Sequence, residues 1–326
     1  MGKVKFIAAL VLLPAVLFAA GGTTGADILK LNTGCRAIAM GEAFSAAGDR
    51  AESLWYNPAG IAFHKKHSVF YSHHLMAHDV TAVQASYAGE VETFLLDGKG
   101  GLFFVWRFLP LIDNEDAEDE PVEYYDVVFG GTFAMSLNQI VREWPSDIGI
   151  GIAAKIVLEQ IGPHSGSTIA FDAGVKYEPA DTGLAFALAV QNAGLPIRAI
   201  RGAGEPDDPS FEEFPIPLTA RAGAAYRFSV DENNRSLIAL DYMHDLYDYP
   251  RAAVGLEHGI LELLYLRAGY NTSFDTRNPA YVSAGAGIYT TQFDVSVGIN
   301  YAYRVSLFGS LNAPLNSHFF SADVRF

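Results

Sequence analysis

Five histidines, His64, His67, His73, His74 and His78, crowd into one short stretch. Imidazoles at that density could hold zinc, which needs three or four ligands converging on one point. The spacing argues against convergence, because neighbours such as His73 and His74 point to opposite faces of a strand. They read as residues near a strand end or beside the N-terminal stretch described below. The acidic run from Asp113 to Glu120 offers carboxylates to calcium. It lacks the glycine and the spacing of a dedicated calcium loop, so it reads as a solvated loop, with loose cation-mediated contact to lipid headgroups needing no defined site. Gly149-x-Gly151-x-x-Ala154 matches a dinucleotide loop only superficially, since it lies inside an alternating strand with no helix after it. Gly162-Pro163-His164-Ser165-Gly166 departs from the Gly-x-Ser-x-Gly nucleophile elbow and reads as a hairpin turn. No Ser, His and acid trio stands out. The expectation is no catalytic residue, no metal site, no cofactor and no enzyme.

Charges on otherwise polar strand faces carry more information. Lys155, Glu159, Asp172, Lys176, Arg221, Arg227, Asp241, Asp294, Asp323 and Arg325 all fall there. Buried charges must pair or stay wet. Mutual pairing plus anchoring of the N-terminal stretch is the plainer reading; binding of a ligand's carboxylate is the sharper one.

The elements that position these charges alternate with period two. Ile148, Ile150, Ile152, Ala154, Ile156 and Leu158 share one face; Gly149, Gly151, Ala153, Lys155, Val157 and Glu159 share the other. The same pattern runs through 166–178, 216–230 and 291–304. A soluble sandwich also alternates, but its polar face is rich in Lys, Glu and Thr. Here the polar face is Gly, Ser and Asn with scattered charges of both signs, and the apolar face is aliphatic with aromatics at its ends. That fits lipid outside and a polar lumen inside. About fourteen strands are expected between residues 66 and 326, an even number that puts both termini at one end. The fold class is all-β, a transmembrane antiparallel β-barrel.

Composition agrees. The chain has 326 residues, 50% hydrophobic and 18% charged, so disorder is excluded. Its net charge of −15 excludes a nucleic-acid partner, which needs a basic footprint. The single cysteine, Cys35, excludes an internal disulfide and reads as a small packed residue. Residues 1–26 read as a signal peptide: Lys3 and Lys5, an apolar run from Phe6 to Phe18, then small residues. No later segment is apolar for long enough to span a bilayer as a helix, so a membrane would have to be crossed by a closed barrel.

Residues 34–63 differ from the strands around them. They are rich in Ala and Gly and close on Asn57-Pro58-Ala59-Gly60. Asn caps helices well and Pro suits the first helical position, so a short helical turn is expected there. Asp49 and Glu52 have the spacing of a capping box. Residues 27–63 are expected to form a hatch or plug inside a barrel of residues 64–326.

The run Asn32-Thr33-Gly34-Cys35-Arg36-Ala37-Ile38-Ala39-Met40-Gly41, with Ala43-Phe44, Asp49 and Tyr56-Asn57-Pro58-Ala59-Gly60, resembles the N-terminal signature of FadL/PorV-type outer-membrane barrels. Glu42 stands where a second Gly is usual, and Asp49-Arg50 where an acidic pair is usual. The C-terminal Ser321-Ala322-Asp323-Val324-Arg325-Phe326 resembles the signal such barrels present to the barrel-assembly machinery. The resemblance implies fourteen strands around a hatch bearing Gly34, Gly41, Asp49, Asn57, Pro58, Ala59 and Gly60. It implies passive uptake of hydrophobic compounds such as long-chain fatty acids, with Phe44, Trp55, Phe211 and Phe214 as candidate pocket residues and outer-membrane lipid as surroundings. The rival it leaves open is a PorV-like role, binding secreted proteins through the loop at 195–215. A barrel enzyme is a third, for which no nucleophile and base are found on one face.

Overall fold

The computed structural model describes residues 24–76, 79–92, 97–109, 124–139, 146–162, 164–201, 213–274, 280–307 and 316–326. Most of residues 1–26, the acidic run 113–120, His78 and Phe211 lie outside them. Among the described residues are sixteen strands: β1 Ser68–Leu75, β2 Thr81–Glu92, β3 Asp97–Leu109, β4 Tyr124–Ser136, β5 Ser146–Ile161, β6 His164–Pro179, β7 Leu184–Gly194, β8 Ile197–Arg201, β9 Glu213–Phe214, β10 Thr219–Ser229, β11 Asn234–Asp245, β12 Arg251–Ile260, β13 Leu264–Ser273, β14 Tyr281–Gln292, β15 Val295–Ser306 and β16 Ser317–Arg325.

Fourteen of these strands close into an antiparallel barrel. Each pairs with its neighbours in sequence, β7 pairs with β10, and β16 returns to β1 with Ser68 opposite Arg325. Closure leaves no strand edge, so the backbone groups are satisfied within the wall. Both termini of the barrel lie at the end where Ser68 meets Arg325.

β8 and β9 were not expected. β8 continues β7 beyond Leu195-Pro196 and pairs with the start of β6; β9 pairs with β8. Between β7 and β10 the ladder stops at Gln191 and Thr219. Pro196, Pro215 and Pro217 flank the interruption, and proline has no N–H to give a ladder. Asn192, at φ 61°, bulges here, and its N–H goes to the Asp172 carboxylate instead of a neighbouring strand.

The faces fall as the alternation predicts. On β5, Ile152, Ile156 and Leu158 are exposed outward, while Gly151, Ala153, Lys155 and Val157 are buried. On β15, Val295, Val297, Ile299 and Tyr301 are exposed, opposite buried Ser296, Gly298, Asn300 and Ala302. An apolar outer wall around a polar interior is the inverse of a soluble fold, and burial against lipid is what stabilises it. Asp294 is a correction. It occupies the exposed two-residue turn between β14 and β15, at φ 65°, and does not face the interior.

Candidate functional site

The N-terminal segment supplies much of the buried core. Ile28, Leu29, Met40, Phe44, Leu54, Trp55, Tyr56 and Ile61 are all buried. Short turns carry them: Asp27–Lys30, the helix α1 Cys35–Ala39, and 3₁₀ turns at Ala51–Trp55 and Pro58–Ile61. α1 packs on β13 to β16, Ala51–Trp55 on β1 to β3, and Pro58–Ile61 on β4 to β6. The segment therefore lies against the inward faces of strands all round the wall.

Asn57 does what its residue type promises. Its side-chain oxygen accepts from Ala59 N at 2.9 Å, with Pro58 at the first helical position. Its amide also donates to the Ser45 and Val175 carbonyls, tying the turn to a neighbouring turn and to β6. The wall makes room with glycine: a Cβ at Gly174 would overlap Asn57 Oδ1, and one at Gly151 would press on the Pro58–Ala59 backbone. Gly34 and Gly41 bracket α1 at φ 85° and 64°, a region glycine enters without strain. Gly60 packs beside Ser53 with no space for a side chain. Glu42 also has positive φ, at 74°, where the resemblance leads one to expect glycine. Its buried carboxylate faces Asn271 at 3.4 Å and Arg304 at 3.5 Å, and these contacts offset the backbone cost.

The capping box does not form. Glu52 reaches across to α1, where its carboxylate accepts from Ala37 N at 3.1 Å. Burial pushes the Glu52 carboxyl up to about 7, against the opposing pull of Arg36 and the Ala37 N–H. Asp49 joins an ionic cluster instead. It meets Arg36 at 3.1 Å, Arg50 at 3.5 Å and Arg227 at 3.7 Å. Burial works to raise its carboxyl, but Arg36, Arg50, Arg227 and Lys176 together hold it well below the ordinary range. Arg36 also makes a two-pronged contact with Glu257 on β12, at 2.8 and 2.9 Å, and Glu257 is shared with Arg267 at 2.7 Å. Bidentate charged pairs of this kind combine strength with fixed geometry.

Most of the predicted inward charges take part in such anchoring. Lys155 pairs with Asp172 at 2.6 Å; Lys176 donates to Gly48 O at 2.8 Å and pairs with Glu178; Arg227 donates to Ala47 O at 2.7 Å. Asp241 accepts from the Ser45 N–H at 3.0 Å and lies 4.0 Å from Arg221. Asp323 meets Arg50 at 3.5 Å. Glu159 accepts from Ala26 N at 3.1 Å. Mutual pairing plus anchoring describes them.

Arg36, Glu42, Glu257 and Arg267 escaped the sequence reading. Glu257 and Arg267 stand directly opposite each other in the β12–β13 register, a relation invisible until the register is known.

The candidate pocket residues are not gathered together. Phe44 packs edge-on against Tyr56 at 5.3 Å, and Trp55 edge-on against Phe103 at 5.8 Å with Lys155 above its ring. Phe214 stands apart in β9, beside a small depression of about 100 Å³ shared with Gly25, Glu159, His164 and Ile197.

The fold has solved counterparts. The monoaromatic hydrocarbon channel CymD superposes with a TM-score of 0.55 at 10% identity, covering 90% of this chain and 97% of that one. It shares the fold of FadL-type barrels. The toluene transporter TodX of Pseudomonas putida gives 0.54 at 12% identity over 95% of this chain and 98% of its own. A FadL homologue of Pseudomonas aeruginosa gives 0.51 at 11% identity over 94% and 99%. No protein-family model and no curated protein sequence matches the chain. The kinship with FadL-type barrels is therefore one of fold, carried by superposition over nearly the whole of both chains.

Proposed function

We propose that this protein is an outer-membrane barrel for passive uptake of hydrophobic compounds, long-chain fatty acids among them. Residues 1–26 act as its export signal, residues 27–63 as a hatch, and residues 64–326 as the wall. One observation carries the reading. An apolar-faced barrel holds its own N-terminal segment against the inner wall through short turns and ion pairs, a device suited to a removable obstruction. A simple structural barrel would have no use for so many polar anchors, because apolar packing fills a lumen at less cost. The likeness to FadL-type barrels supports the same reading, and the neighbours bearing that fold are described as a toluene transporter and a hydrocarbon channel.

The physical task is plain. A hydrophobic solute crosses a polar outer leaflet slowly, and a barrel lets it bypass that layer. Phe44 and Trp55 would meet such a solute only once the segment shifts, since both are packed in ring contacts, whereas Phe214 is already exposed in β9. The test is direct. The barrel is purified in detergent, its bound small molecules are extracted and identified by mass spectrometry, and transfer of radiolabelled oleate or toluene is followed in proteoliposomes with a lipopolysaccharide outer leaflet. Retained apolar ligand and transfer above that of empty liposomes are expected. Transfer equal to empty liposomes, with the barrel folded, overturns the reading. Stable co-purification of a secreted protein instead would favour the secretion role.

A further inference from the structure

The lipid-facing wall carries a hydrogen-bonded polar pair near the end where the barrel's termini lie. Ser236 on β11 and His258 on β12 stand opposite each other in register, and Ser236 Oγ lies 2.9 Å from His258 Nδ1. Both belong to the outward set. Their strand neighbours Leu237 and Glu257 are buried inward, while Ile238 and Leu256 are 40% and 49% exposed. The pair lies in an outer-surface depression of about 360 Å³ whose remaining walls include Phe228, Ile238, Leu256 and Leu266.

Its depth is informative. Ser236 is two residues from the start of β11, about 7 Å along the strand from the turn. Below it, the turn joining β12 to β13 mixes apolar and charged side chains, with exposed Glu262 paired to Arg235 at 3.1 Å. Leu261 is 62% exposed and Leu263 49%, and Leu261 and Glu262 both hold a φ of 56°. A left-handed leucine is strained where Asn or Gly would be at ease. The pair thus lies where the wall changes character, with apolar Ile238 and Leu256 on one side and the exposed Arg235–Glu262 ion pair beside Leu261 on the other. Polar groups on a lipid-facing wall are costly unless something answers them. His258 spends Nδ1 on Ser236, and the exposed Asp231 carboxylate is near enough to act on the ring electrostatically.

We propose that this depression is a binding site for one glycerophospholipid of the leaflet at the barrel's terminal end, resting on the reading that the barrel spans a membrane. The depression runs without a break into the lipid-covered belt, so its occupant is drawn from the bilayer. The apolar walls take an acyl chain. The Ser236–His258 pair meets the ester and phosphate oxygens, which lie at the boundary between hydrocarbon and water. Phospholipid satisfies both halves of the site at once.

Photolabelling tests this. The full barrel is placed in nanodiscs containing phosphatidylethanolamine with a diazirine near the glycerol, and labelled peptides are mapped. Label is expected to concentrate on residues 234–245 and 251–274. It should fall about fivefold in Ser236→Val and in His258→Phe, the effect of one lost hydrogen bond. Thr290→Val, an outward polar change outside the depression, should leave it unaltered. Both test substitutions add apolar surface to a lipid-facing position, so folding is preserved, and a heat-sensitive band on a gel verifies it. Label spread evenly round the barrel, or unchanged in both variants, overturns the proposal. A barrel that never enters nanodiscs instead overturns the membrane reading on which the proposal rests.

Discussion

At the residue scale, the N-terminal segment is held by side chains whose roles can be separated. Asn57 is a cap with three hydrogen bonds. Its replacement by alanine should cost ~1 kcal/mol, a loss that falls on the segment it caps and leaves the wall intact. Cys35 supplies the readout. It is buried, and burial pushes its thiol up to about 12, so it should resist maleimide in the intact protein. Asn57→Ala should raise its labelling rate about fivefold; an unchanged rate would mean that the cap does not hold the segment. Glu52 gives a pH prediction. Its folded carboxyl titrates about 7 against an ordinary 4.5, so the folded state keeps a proton that the released state gives up. Stability of the segment therefore falls as pH rises from about 4.5 to about 7 and levels off above that. Asp49 works in the opposite sense, since its depressed carboxyl contributes stability that is lost only in stronger acid. Hydrogen exchange at α1, corrected for intrinsic rates, should show less protection at pH 8 than at pH 5.5. Glu52→Gln should flatten that difference.

At the scale of elements, period-two alternation made the wall legible and the register made the rest. Ile152, Ile156, Val297 and Ile299 were assignable to lipid from sequence because nothing competes with alternation on a long strand. The anchoring partners were not, because Arg36 and Glu257 are separated by 221 residues and meet only once the barrel closes. The Asp49–Glu52 spacing misled for a related reason: Arg36 and the α1 amides offer those carboxylates better partners than a local cap. β8 and β9 were hidden because a proline-rich stretch reads as loop. Ile152→Arg should destabilise the barrel by ~2–4 kcal/mol, given its place near the middle of β5. Lumen-side glycines are not neutral sites. Gly151→Ser must push on the Pro58–Ala59 backbone, so it should free the segment while the wall stays intact. Denaturant unfolding in liposomes and Cys35 labelling, measured together, separate the two effects. Equal losses of barrel stability from both substitutions would contradict the assignment of faces.

At the scale of the molecule, closure and an apolar exterior require a lipid or detergent environment. Extraction should need detergent, and unheated protein should migrate differently on a gel. Monodisperse detergent-free protein would end the barrel account. The account's central claim is narrower: the segment inside must move for a hydrophobic solute to pass. Cys35 permits a test with one substitution. α1 packs on β16, where Ser321 is close enough to influence the Cys35 thiol, and the chain has no other cysteine. Ser321→Cys places a second thiol beside the first, and oxidation would lock α1 to the wall. The decisive measurement is transfer of radiolabelled oleate through this variant in proteoliposomes with a lipopolysaccharide outer leaflet, oxidised and then reduced, with the single-cysteine parent alongside. Transfer should collapse in the oxidised variant and return on reduction, while the parent ignores both treatments. Undiminished transfer through a fully oxidised variant would contradict the claim.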